Sequence, residues 1–177
     1  MIIRPADLSD LNACIAIDPS FQTDYVWQME ERDDGTDIFI TFRPARLPRT
    51  MPVAYPRGLD NLPEIWNRDG CFLVAETEDG EISGFLSMIV QDWHNSGWIQ
   101  HLIVDQRYRR QGIGSALLGA AVQWAREQGL SRLVIEVQTK NYPAIRFCQK
   151  HGFAFCGFND RYYANQDIAL FFALSLR

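Results

Sequence analysis

Val104-Asp105-Gln106-Arg107-Tyr108-Arg109-Arg110-Gln111-Gly112-Ile113-Gly114-Ser115 is the stretch whose reading decides the fold. An apolar strand ends at Val104, a basic loop follows, and two glycines open an amphipathic helix. Ile113, Leu117, Leu118, Ala121, Val122 and Ala125 recur at helical spacing, and Gly129 stops the run. A helix N-terminus offers backbone N–H groups outside the helical ladder and a partial positive charge, which suits a pyrophosphate. Gly112 and Gly114 lack a Cβ and allow phosphate oxygens close to the backbone. Arg107, Arg109 and Arg110 add charge at the same place. The plainer reading is a helix cap with solvated arginines. A dinucleotide fingerprint does not fit, because a basic loop separates strand from glycines and Leu117 holds the third-glycine position. The P-loop lysine is missing as well.

Working outward, residues 71–77 and 82–90 are apolar runs joined by Glu78-Asp79-Gly80-Glu81, a hairpin signal. Residues 98–104 and 133–137 read as strands. Residues 141–151 read as a helix with Pro143 in its first turn and Gly152 past its end. Residues 153–158 and 168–176 are closing strands. At the other end, residues 1–4 form a strand stopped by Pro5. Asp7 or Ser9 caps a helix with Leu8, Leu11, Cys14 and Ile15 on one face. Residues 25–32 and 37–43 flank Asp33-Asp34-Gly35-Thr36 as a second hairpin. Five prolines between 44 and 63 predict an irregular crossing, closed by a short helix over 59–67. The sum is one α/β domain over 1–177 with a mixed sheet, carrying a hairpin and proline-rich insertion at about 24–63.

Two segments together are more specific than either. Arg109-Arg110-Gln111-Gly112-Ile113-Gly114 resembles the Arg/Gln-x-x-Gly-x-Gly/Ala motif of the GNAT N-acetyltransferase superfamily. Asn141-x-x-Ala144-x-x-Phe147-Cys148-x-Lys150-x-Gly152-Phe153 is similar to that family's second signature, in the expected order and one helix and one strand further on. Trp27, the Tyr55-Pro56 turn and Asp167-Ile168-Ala169-Leu170-Phe171-Phe172 resemble the streptothricin acetyltransferase branch. The resemblance implies a GNAT-like single domain: a mostly antiparallel mixed sheet flanked by helices, whose two central parallel strands, 98–104 and 133–137, splay apart around the pantetheine arm of acetyl-CoA. Backbone groups of Leu102, Ile103 and Val104 would pair with the arm. Arg109, Arg110, Gln111, Gly112, Ile113, Gly114 and Ser115 would hold the pyrophosphate. Asn141, Ala144 and Phe147 would line the cofactor at the later helix.

The implied chemistry is acetyl transfer to a primary amine, which needs a base for the ammonium proton and an acid for the departing thiolate. Glu136 is the first candidate for the base. If Ile135 and Val137 face the core, it shares the opposite face with Gln138. His101 is the rival, since an ordinary imidazole pKa suits the work; an orienting histidine is the alternative. Cys148 stands where the family has its acidic tyrosine. It is either a core residue, an acid acting through water, or replaced by Tyr142, Tyr162 or Tyr163. Asp92 and His94, with Tyr25, Trp27, Trp66, Trp93 and Trp98, are candidates for the acceptor pocket. Asp24, Glu30, Glu31, Asp33 and Asp34 are candidates for attracting a cation.

The net charge of −5 repels nucleic acid and anionic membranes and tolerates small cations. Four cysteines without CxxC spacing read as reduced, mostly buried thiols, with no metal site, in a cytoplasmic protein. The expected acceptor is a small cationic molecule, an antibiotic among the options; the alternatives are a protein N-terminus or lysine, or a non-catalytic acyl-CoA sensor. The oligomeric state stays open, a homodimer included.

Overall fold

The computed structural model describes residues 1–66 and 70–177. Strand β1 (Ile2–Pro5) pairs antiparallel with β4 (Gly70–Glu76), and β4 with β5 (Ile82–Gln91). The turn between β4 and β5 is closed by Gly80 at φ +84°, a conformation that glycine adopts at little cost. Pro5 does not stop β1 but belongs to it, opposite Leu73. Proline is tolerated there because β1 is an edge strand. A 3-10 turn over Leu8–Asp10, with Asp7 at its N-cap, leads into α1 (Leu11–Ala16). Leu8 lies outside the expected apolar face and is exposed, whereas Leu11 and Cys14 are buried.

The hairpin of β2 (Phe21–Asp33) and β3 (Ile38–Val53) turns where the Asp-Gly signal placed it. Asp34 Oδ1 accepts from the N–H groups of Thr36 and Asp37, at 3.0 and 2.8 Å. The irregular crossing expected from the prolines is not observed over 44–53. Instead, β3 continues through Pro44, Pro48 and Pro52. Pro44 shows why this is possible. It lies opposite Trp27, whose N–H points away from the hairpin and donates to Thr139 O at 2.8 Å. Opposed residues of an antiparallel pair exchange both hydrogen bonds or neither, so no ladder bond asks for the missing proline N–H. Near Thr23 and Tyr25 the register shifts, and four residues of β3 (47–50) oppose Asp24 alone. The short helix expected over 59–67 is α2 (Leu62–Trp66); Asn67 lies outside the described residues.

The second half follows the expected order: β6 (Ser96–Val104), α3 (Ile113–Glu127), β7 (Arg132–Gln138), α4 (Tyr142–Lys150), β8 (Ala154–Asn159) and β9 (Ala169–Ser175). Among the described residues the main sheet has seven strands, in the order β1-β4-β5-β6-β7-β9-β8, and β6–β7 is parallel. Met1–Pro19, Arg57–Glu136 and Phe172–Arg177 form one compact unit; Ser20–Pro56 and Val137–Phe171 form a second. In the first, α3 buries Ile113, Leu117, Leu118, Ala121 and Ala125, and packs on β4, β5 and β6. In the second, α4 packs on β2 and buries Ile145 and Cys148. Among the described residues, no helix is long and apolar enough to cross a membrane.

Candidate active site

The loop between β6 and α3 is built by its own polar groups. Asp105 donates its N–H to Ser83 O and accepts from the Arg107 N–H, both at 2.9 Å, which starts a 3-10 turn over Gln106–Tyr108. The backbone then takes φ +65° at Arg110 and φ +84° at Gly112. The ladder of α3 begins with Ala116 N–H to Gly112 O, so the amides of Ile113, Gly114 and Ser115 precede it. No atom lies within 4 Å of where a Gly112 Cβ would stand. A 15-residue helix opening on bare backbone and clear space is a fit for a pyrophosphate.

The three arginines are not equivalent. Arg107 faces Asp105 and Glu81, at 3.2 and 3.6 Å. Arg109 turns inward, its Nε donating to Val104 O at 2.8 Å and its Nη2 to Asp18 O at 3.4 Å. Its observed part is therefore to brace the loop. Arg110 is exposed like Arg107, and Gln111 is exposed beside it.

Strands β6 and β7 pair in parallel from Ser96↔Arg132 to Ile99↔Ile135, although β6 runs on to Val104 and β7 to Gln138. The expected splay is thus present from Gln100 onward. A register shift in the β5–β6 ladder gives β6 one extra residue at this point, between Ser87↔His101 and Met88↔Ile99. Leu102, Ile103 and Val104 pair with Leu86, Phe85 and Gly84 of β5. Their β5 side is thereby fixed, and their other edge faces the opening left by β7. That arrangement suits an arm bearing amides.

Glu136 lies on β7 one residue past its last pair with β6. Its side chain is 7 % exposed and its Oε1 is ion-paired with the Arg57 guanidinium, which is 27 % exposed. Arg57 Nη1 also donates to Gln100 Oε1 at 3.0 Å. Arg57 precedes α2, far from any motif, and sequence reading gave no sign of it. His101, 1 % exposed, sits beside this group and near the Phe85 ring. Burial, aided by the Arg57 charge, pushes its pKa down to about 4. The expectation of an ordinary imidazole pKa is corrected accordingly: His101 is neutral near pH 7 and a weak base.

Helix α4 begins with Asn141, whose Oδ1 accepts from Ala144 N–H at 3.1 Å. That oxygen serves the helix cap. Phe147 is half-buried, its ring 4.3 Å from His151. Cys148 is 1 % exposed, and burial pushes its thiol up to about 12. Tyr142 packs against Tyr25, with ring centroids 5.0 Å apart. Tyr163 is buried against Tyr162, in the loop before β9. Several pocket candidates lie elsewhere. Asp92, Trp93 and His94 form the turn that enters β6, at the opposite end from the splay. Trp98 is also in the paired start of β6, and its Nε1 donates to Ser96 Oγ at 3.1 Å. Trp66 packs on Phe72. In the acidic hairpin, Glu30 pairs with Arg43 and Asp24 accepts from Thr50.

A sheet that splays beside a glycine-opened helix, with a buried carboxylate at the mouth, defines an acetyl-CoA-dependent acyltransferase site. The chain belongs to the acetyltransferase (GNAT) family, which residues 26–153 match. It is 30 % identical to the streptothricin acetyltransferase of Streptomyces lavendulae over 160 residues, covering 90 % of this chain and 85 % of that protein. A crystal structure of nourseothricin acetyltransferase matches it with a TM-score of 0.86 at 27 % identity, over 99 % of this chain and 98 % of the other. A protein of Bacillus anthracis str. Ames described as a streptothricin acetyltransferase, in complex with acetyl coenzyme A, matches with a TM-score of 0.79 at 26 % identity, over 98 % and 97 %.

Proposed function

We propose that this N-acetyltransferase moves the acetyl group of acetyl-CoA to a primary amine of a small cationic compound of the streptothricin kind, with Glu136 as the general base. The likeness to streptothricin and nourseothricin acetyltransferases supports the acceptor class. The observation that carries the base is the Glu136 carboxylate, buried where β6 and β7 part. Low exposure strengthens its attraction for an ammonium group, and Arg57 holds one of its oxygens in place. His101 is too weak a base for the same work. Cys148 serves as a packing residue of α4, and the proton for the thiolate comes from a phenol, with Tyr163 as the candidate, or from water. The free, buried thiols of Cys14, Cys71 and Cys148 favour a cytoplasmic, reducing setting.

Thiol release from acetyl-CoA, measured against streptothricin, other amines and peptides, tests the acceptor. Turnover with streptothricin is expected; turnover with peptides alone would replace this reading by protein acetylation. Glu136→Gln should lower turnover about 10²-fold with acetyl-CoA affinity kept, and the loss should shrink at high pH as the amine deprotonates unaided. An unchanged rate at neutral pH would remove Glu136 from the role.

A further inference from the structure

Gln138 closes β7 and is 1 % exposed. Its Nε2 donates to Asp167 Oδ2 at 2.8 Å. A carboxylate only accepts, so the amide must turn its nitrogen to Asp167 and its oxygen the other way. Asp167 cannot easily yield. Its Oδ1 accepts from Lys140 Nζ at 2.7 Å and its Oδ2 from Asn165 Nδ2 at 2.9 Å. Its main-chain N–H donates to Asn165 Oδ1 at 3.0 Å, and its carbonyl accepts from the N–H groups of Tyr162 and Tyr163. On the other side, the Gln138 carbonyl accepts from Asn141 N–H at 3.0 Å, and Thr139 is tied to Trp27 and Ile168. Both ends of the contact are fixed to the backbone.

The result is a buried Gln138 Oε1 with no hydrogen-bond partner in the protein. Such an acceptor is costly to leave unmade and asks for a donor from elsewhere. We propose that Gln138 is a ligand-binding residue, its side-chain carbonyl oriented by Asp167 to accept a hydrogen bond from an N–H or O–H group of a bound substrate. An amide oxygen in this setting takes ammonium, amide or hydroxyl donors and rejects carboxylates. Both substrates of the reaction carry such groups, the pantetheine amides of acetyl-CoA and the amines of the acceptor. The proposal rests on the function proposed above only for the choice of acceptor tested.

The test is Gln138→Met, which keeps length and removes both polar atoms, read by calorimetric Kd for acetyl-CoA and by KM and kcat for the best amine of the thiol-release panel. About a tenfold loss for one of the two ligands is expected, with kcat and the melting temperature of the ligand-free protein nearly unchanged. Which ligand suffers identifies the donor. Asp167→Asn lets the Gln138 amide turn over, so it should weaken the same ligand, and the double variant should lose no more than Gln138→Met alone. Wild-type affinity for both ligands in Gln138→Met would overturn the proposal, leaving the carbonyl to a buried water. Equal weakening of both ligands with a lower ligand-free melting temperature would overturn it too, as a purely structural role. If no amine is acetylated, the proposed function fails by itself, and the acetyl-CoA Kd alone decides Gln138.

Discussion

At His101, burial sets the protonation state and thereby a pH dependence. The unfolded imidazole titrates near 6.5, the folded one near 4. Between these values the unfolded chain binds a proton that the native state refuses, so stability falls as pH drops through the window. The expected share is about 2 kcal/mol between pH 7 and 4.5. Urea unfolding of wild type and His101→Gln at several pH values measures it: the wild type should lose that much more than the variant. The cysteines give a second residue-scale expectation. Cys14, Cys71 and Cys148 are buried with thiols pushed up to about 12, whereas Cys156 is exposed. Native protein should show one fast thiol with a disulfide reagent and four after unfolding. If Cys148 serves packing alone, as proposed, Cys148→Ala should keep turnover within about tenfold, whereas loss of a general acid typically costs 10²–10⁴.

Helix α3 separates two effects of glycine within one element. Gly112, its N-cap, sits at φ +84° with open space around it. Gly112→Val should strain the backbone by about 1–3 kcal/mol and also close the approach to the helix N-terminus. Acetyl-CoA affinity should therefore fall well beyond what the stability loss explains. Gly119 lies inside the same helix, exposed, with no atom within 4 Å of its missing Cβ. Gly119→Ala should raise stability by about 0.5–1 kcal/mol and leave acetyl-CoA binding unchanged. Denaturant titration with calorimetry on both variants checks the contrast.

For the whole molecule, a ligand bound only by the folded state stabilises by mass action. Acetyl-CoA at 100 times its Kd should add about 2.7 kcal/mol, a rise of roughly 5–10 °C in Tm for a chain of this length. Thermal melts with acetyl-CoA and with free adenosine as a control measure the rise. A flat response at millimolar acetyl-CoA would contradict the site as described.

The strand–loop–helix at 104–115 and the helix at 141–151 were legible in the sequence because their signals are local: helical period, glycine stops, and a proline and an asparagine at one N-terminus. The Asp-Gly turn of the β2–β3 hairpin was legible for the same reason. The proline run was misread, since whether Pro44 breaks a strand depends on which way Trp27 turns its N–H, and that is settled by Thr139, 112 residues along the chain. Strand alternation assigned Glu136 to the face opposite Ile135 and Val137, but its ion pair with Arg57 was not legible, because 79 residues separate them. The neutral state of His101 and the raised pKa of the Cys148 thiol follow from burial. The orientation of the Gln138 amide follows from Asp167, 29 positions away. Local chemistry determined the elements and the backbone cradle; only tertiary packing decided the charges and hydrogen-bond partners of the side chains, because desolvation and pairing exist only once distant segments meet.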